Sequence, residues 1–252
     1  MDSYNGFRAI TEVLNGMDEG NYRSMSMVIR GHEMWLQEPL REGDRYSAEL
    51  RFGHNMEPDG SAPDDYVHPT VIDCDGNSVE TRFERIDQGH RICFRDTGRA
   101  PYTLYNESVP VIWNIIKGGA WKAGLKRDFS DVESSSAFQM YAKVILSDGE
   151  PSATEQAVLE IVPDTGRLKV GTDAGFAVLY EGRPLAGQDL KFFCKSTGET
   201  RMIRTDDGGR AVLSVTDPGD WMVLMRYRDE SKSSEDEFDD SVFIMTLVMK
   251  AE

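Results

Sequence analysis

The stretch "GFAVLYEGRPLAGQDLKFFCKSTGETRMIRTDDGGRAVLSVTDPGDWMVLMRYRD" occupies residues 175–229. Short runs rich in Val, Leu, Phe and Met are separated by "EGRP", "STGE", "DDGG" and "DPGD". Gly supplies positive φ, Pro fixes its own φ, and Asp bonds to nearby backbone, so such clusters are turns with a mechanism. Short strands at regular spacing with turns between them predict an all-β sandwich.

The pattern extends in both directions. Downstream, "ESKSSEDEFDD" (230–240) reads as a solvated loop and "SVFIMTLVMK" (241–250) as the last strand. Upstream, "PDTGRLKVG" (163–171) reads as a boundary. Before it lie "MVIRGHEMWLQ", "RYSAELRFG", a hairpin turning at Asp75-Gly76, "HRICFRDTGRAPYTLYNES" and "EQAVLEIVPD". "VPVIWNIIKGGAWKAG" predicts two strands, and "SSSAFQMYAKVILSDG" suits a strand or a short helix. In residues 1–26 the pattern changes: Phe7, Ile10, Val13, Leu14 and Met17 recur near helical spacing. The expected organisation is a helical leader (1–26) and two tandem β-sandwiches. The N-terminal one spans 27–165, and the C-terminal one, 166–252, is immunoglobulin-like or transthyretin-like.

Composition narrows the partners. The chain has 252 residues and a formal charge of -16. A phosphate-backbone binder needs the opposite sign, so nucleic acid is not an expected partner, and neither is an anionic membrane surface. Cations are the natural small partners of such a field. Cys74, Cys93 and Cys194 form no CxxC and no zinc-finger spacing, which favours free thiols. No apolar run approaches the ~18 residues of a membrane span, so no direct membrane insertion is expected. No signal-peptide pattern is visible at the start.

The segment "HEMWLQEPLREGDRYSAELRFGH" (32–54) reads as one antiparallel hairpin centred on Gly43. Leu36 then falls opposite Leu50, Gln37 opposite Glu49, and His32 opposite His54. Directly opposed Cβ atoms lie about 4.5–5.5 Å apart. Two imidazoles at that spacing reach a common metal ion, with ring nitrogens ~2.0–2.1 Å from it. One bulge between the strands would turn the rings to opposite faces. Imidazole suits nickel, copper and zinc, whereas calcium and magnesium prefer oxygen. A third ligand must come from elsewhere, and Glu33, His68, His90, Glu57 and Asp59 are the candidates. Met34 and Met56 each follow a site His by two residues and read as core fillers. A strand His after Gly also serves as a hydrogen-bonded packing residue, and that reading stands beside the metal one.

Other motifs point to less. "DCDGNSVE" lacks the ligand spacing of a calcium loop and reads as a hairpin turn. "GGAWKAG" precedes no GKS or GKT, and no G-x-S-x-G nucleophile motif occurs. Trp35, Trp113, Trp121 and Trp221 suit either a carbohydrate face or sandwich cores, with cores favoured.

Taken in order, "GHEMWLQEP", "LRFGHNMEPDG", "VIDCDGN", "YTLYNESVPVIWN", "GGAWKAG", "MYAKVIL", "LEIVPDTGRLKVG", "VLYEGRPLAGQDL" and "TDDGGRAVLSVTDPGDWMV" form a series. It resembles a family of extracytoplasmic β-sandwich proteins described as nickel-uptake, NikM-like accessory components, a family that is also labelled a domain of unknown function. The resemblance covers roughly residues 28–250. It implies a non-enzymatic accessory protein of nickel or cobalt uptake, acting with a membrane metal-transporter component. Members begin with a signal peptide ending just before the His-Glu motif, whereas an acidic, helical leader stands in that place here. The expected location is periplasmic or cell-surface if a signal was removed, and cytoplasmic if this N-terminus is native. The expected function is transition-metal binding, with nickel or cobalt favoured and zinc or copper also suited. A structural or adhesive surface module that binds a protein or glycan without metal is the alternative.

Overall fold

The structure is a computed structural model that describes residues 31–146, 151, 153–154 and 157–252. The helix expected over residues 1–26 lies outside the described residues. Among the described residues there is no α-helix, and the chain is all-β.

The strands are β1 (Glu33–Leu36), β2 (Leu40–Glu42), β3 (Arg45–His54), β4 (Glu57–Gly60), β5 (His68–Ile72), β6 (Ser78–Val79), β7 (Thr81–Ile86), β8 (Gly89–Arg95), β9 (Tyr102–Glu107) and β10 (Val111–Ile116). After them come β11 (Trp121–Ala123), β12 (Val132–Leu146), β13 (Leu159–Pro163), β14 (Asp173–Tyr180), β15 (Arg183–Pro184), β16 (Asp189–Cys194), β17 (Thr200–Arg204), β18 (Arg210–Ser214), β19 (Gly219–Asp229) and β20 (Asp240–Ala251). Of the turn clusters in the 175–229 stretch, "STGE" and "DDGG" fall between strands, while "EGRP" and "DPGD" begin in turns and run into β15 and β19. "SSSAFQMYAKVIL" is strand throughout, and "VPVIWNIIKGGAWKAG" holds the antiparallel pair β10–β11.

The strands form three sheets. A six-stranded sheet runs β1-β3-β8-β7, with β2 and β4 also on β3. A ten-stranded sheet runs β17-β16-β19-β20-β12-β9-β5-β6, extended by β10 on β12 and β11 on β10. A four-stranded sheet joins β13, β14 and β15, with β18 on β14. The ten-stranded sheet therefore draws strands from both sides of the boundary expected at 163–171. That boundary falls between β13 and β14, which pair with each other from Leu159↔Tyr180 to Pro163↔Phe176.

The join is β12 against β20, a parallel pair running from Ser136↔Asp240 to Val144↔Val248. Both strands are buried on both faces. On β12, Met140, Ala142, Val144 and Leu146 enter one core, while Tyr141 and Ile145 enter the other. On β20, Val242 and Ile244 join the first core, and Phe243, Met245, Leu247, Met249 and Ala251 the second. Two-sided burial explains why "VFIMTLVM" is continuously apolar instead of alternating. β3, with only one buried face, alternates: Tyr46, Ala48, Leu50 and Phe52 point inward.

A third, smaller cluster packs Trp35 and Met56 against Phe193, Met222, Leu224 and Val248. It seats β1 on the ten-stranded sheet, and Thr246 Oγ1 donates to the Met34 carbonyl at 2.6 Å. None of the four tryptophans is exposed: Trp35 and Trp221 are fully buried, Trp113 is buried and Trp121 packs against the first core.

Because the two cores share β12 and β20, they should unfold together. Val144→Ala in the first core and Leu247→Ala in the second should each cost about 1–5 kcal/mol. Urea denaturation followed by tryptophan fluorescence and by circular dichroism should show one coincident transition, moved by either variant. Two separable transitions would show that the halves fold independently.

Candidate metal centre

The hairpin that carries the two histidines keeps its expected register where it matters. Glu33 pairs with Gly53, Met34 with Phe52, and Leu36 with Leu50. The pairing shifts by one residue at the tip, where Leu40 pairs with Ser47 and Glu42 with Arg45. The shift lies beyond Gln37, whose N–H still donates to the Glu49 carbonyl. His32 and His54 therefore meet, with ring centroids 4.4 Å apart and planes tilted by 42°. His32 also stacks on Phe52 at 4.7 Å, nearly parallel.

Asp59 joins them through a local irregularity. β3 turns into β4 at Asn55 and Met56, both with positive φ, and His54 pairs with Glu57 across that two-residue turn. Positive φ at both central residues is the hairpin geometry that matches strand twist, and Asn tolerates it well. Met56 occupies it while burying its side chain in the third cluster. Gly53 then pairs with Pro58 but Phe52 pairs with Gly60, so Asp59 is the extra residue of a bulge. Bulges re-aim side chains. Gly53 is required here, since a Cβ at that position would sit 2.1 Å from the Glu57 carbonyl oxygen.

Asp59 Oδ2 lies 3.2 Å from His32 Nε2 and 3.6 Å from His54 Nε2. The three groups offer donor atoms within 4.8 Å of one another. Donors ~2.0–2.1 Å from a tetrahedral ion stand about 3.3 Å apart, so this spacing fits one ion. The His32 side chain is 6% exposed, and its buried Nε2 faces the Asp59 carboxylate. His54 and Asp59 are 33% and 38% exposed, which leaves the centre open on one side.

Electrostatics keep His32 ready to coordinate. Its pKa falls from 6.5 to about 4, chiefly through burial, then through the His54 ring, with Asp59 acting the other way. A neutral imidazole is the ligating form. The Arg226 guanidinium donates to the His32 backbone carbonyl at 3.0 Å. Gly31, just before the His, has a φ of +113°, a conformation that residues with a side chain rarely adopt.

The chain matches, over residues 29–229, the family DUF4198, a domain of unknown function. It belongs to that family. No curated protein matches it. Among solved structures, the chain is similar to the D0-D1 domain of intimin at 12% identity, covering 87% of this chain and 99% of that one, with a TM-score of 0.21. Murine CEACAM1b shows 10% identity, 88% and 99% coverage and a TM-score of 0.21. Native alpha-2-macroglobulin of Escherichia coli, over domains MG0-NIE-MG1, shows 14% identity, 85% and 71% coverage and a TM-score of 0.21. Likenesses this weak carry no argument.

Of the residues proposed from sequence, the family member brings His32 and His54 together and adds Asp59 from the list of third ligands. The others hold different partners. Glu33 points away from His32, as the next residue of a strand must, and receives the Lys191 ammonium at 2.6 Å. Glu57 is largely exposed, near Lys195. His68 is exposed and its Nε2 meets the Asp65 carbonyl at 2.9 Å. His90 is fully buried and its Nε2 meets Asp64 Oδ1 at 2.8 Å, on a carboxylate that Arg85 also holds. Sequence reading did not foresee Lys191 and Arg226 around the pair, because both arrive from strands far along the chain.

The lowered pKa of His32 makes a prediction for protein stripped of metal by a chelator. Between pH 6.5 and about 4 the unfolded chain takes up a proton at this ring and the folded chain does not. Stability is thus fully present above 6.5 and is lost as pH falls toward about 4. The slope from this group is at most about 1.4 kcal/mol per pH unit. In urea denaturation across that window, His32→Phe should show a shallower pH dependence than wild type. Equal slopes would show that the ring titrates normally.

Proposed function

We propose that the protein is a non-enzymatic transition-metal-binding accessory protein whose ion is held by His32, His54 and Asp59. The observation that carries this reading is the buried His32 Nε2, which faces a second imidazole and a carboxylate at ligand spacing. His32 is already neutral near pH 7, so its coordination releases no proton.

Two imidazoles and one carboxylate suit nickel, cobalt, zinc and copper, and disfavour cations that take oxygen alone. Nickel or cobalt is favoured because the motif series resembles nickel-uptake accessory proteins. Three protein donors on a half-open rim leave room for water or an accepting ligand, which suits capture and release. On this reading the protein works outside the membrane and passes its ion to a membrane transporter component. No helix among the described residues is long and apolar enough to cross a membrane.

Calorimetric titration of nickel, cobalt, zinc and copper into metal-free protein tests this. Wild type should bind at least one of them with micromolar or tighter affinity. His32→Ala/His54→Ala should abolish binding, and Asp59→Asn should weaken it. Binding unchanged in the double variant would move the site elsewhere. No binding to wild type would overturn the metal reading.

A further inference from the structure

The residues that immediately follow the two site histidines share one buried cation. Glu33 follows His32 and Asn55 follows His54. Lys191, on β16, donates from Nζ to Glu33 Oε1 at 2.6 Å and to Asn55 Oδ1 at 2.5 Å. The Asn55 N–H in turn donates to Glu33 Oε2 at 2.7 Å. The Lys191 and Glu33 side chains are 3% and 4% exposed. We infer that this Glu33–Lys191–Asn55 triangle is a positioning device for the metal centre, fixing the spacing of the two imidazoles from behind. The inference rests on the metal reading of His32, His54 and Asp59.

The geometry explains why such a device is needed. β1 is only four residues long, and its pairing with β3 is recorded from Glu33 onward, so His32 lies just past the paired segment. His54 ends β3 and enters a turn with two positive-φ residues. Each ring therefore sits where a strand stops and backbone pairing restrains it least. The triangle ties the two backbones together one residue beyond each ring, on the opposite face, and anchors both to the ten-stranded sheet. One carboxylate oxygen and one amide oxygen also satisfy the buried ammonium. Groups that orient ligands without touching the metal typically change affinity by about 10–100-fold when removed.

Cobalt(II) is the probe, because its visible absorption reports coordination geometry. The test compares wild type with Glu33→Gln/Lys191→Met, which removes the ion pair as a unit and so avoids stranding a buried charge. The control is Lys143→Met/Glu160→Gln, a second fully buried ion pair among the described residues, in which Lys143 Nζ on β12 meets Glu160 on β13 at 2.6 Å. The Glu33/Lys191 variant should keep a cooperative urea transition yet bind cobalt about 10-fold or more weakly, with an altered visible spectrum. The control should match wild type in both. If the variant fails to fold, Asn55→Gly carries the test, since glycine accepts the positive φ and only the Lys191 contact is lost. Unchanged affinity and spectrum in the folded variant would overturn the inference while leaving the metal site standing. Absence of His32-dependent cobalt binding in wild type would overturn both.

Discussion

The parallel pairing of β12 with β20 is the constraint on which the other elements depend. It joins segments about a hundred residues apart, and its start is fixed where the Asp239 N–H donates to the Ser135 carbonyl while Asp239 Oδ2 accepts from Ser135 N–H. Both strands are covered on both sides, so other strands must pack onto each face of the sheet. β13, β14 and β18 cover the second core, while β1, β3 and β8 cover the first. The candidate centre inherits its place from this arrangement. Thr246 on β20 holds the β1 backbone, Trp35 plugs β1 into the third cluster, and β1 in turn presents His32 to His54.

The local parts of this order were legible in the sequence, and the long-range parts were not. Turn chemistry marked strand breaks that the fold places at 181–182, 195–199, 205–209 and 215–218, because Gly, Pro and Asp act within a few residues of themselves. The opposition of His32 and His54 followed from period-two alternation counted back from one turn. The division into 27–165 and 166–252 came from a composition shift at 163–171. The fold places that shift inside the β13–β14 hairpin and runs one sheet through both halves. A parallel pair leaves no turn motif behind. Its only local trace is the unbroken apolar run of β20, which reads equally as an ordinary closing strand.

The centre itself shows the same split. "GHNMEPDG" contains the turn, the close-approach glycine and the carboxylate, yet only the bulge decides that Asp59 and not Glu57 faces the rings. Glu33 shows the converse. As the residue beside His32 it was a natural candidate ligand, but alternation along β1 sends its carboxylate to the other side, where a lysine arriving from β16 receives it. Sequence spacing supplied the nearest neighbours of the site, and tertiary packing chose which of them face inward.

Net charge and local charge also separate here. The chain carries -16 overall, but the groups behind the histidines are cationic: Lys191, neutralised by Glu33, and Arg226 against the His32 carbonyl. Asp59 is the only anion of the donor set. Surface charges act weakly beyond about 8 Å at physiological ionic strength. On the proposed reading the acidic surface can only raise the local concentration of cations, without distinguishing among them. Discrimination must arise at contact, where two neutral imidazoles replace water around ions that favour nitrogen and offer little to ions that favour oxygen.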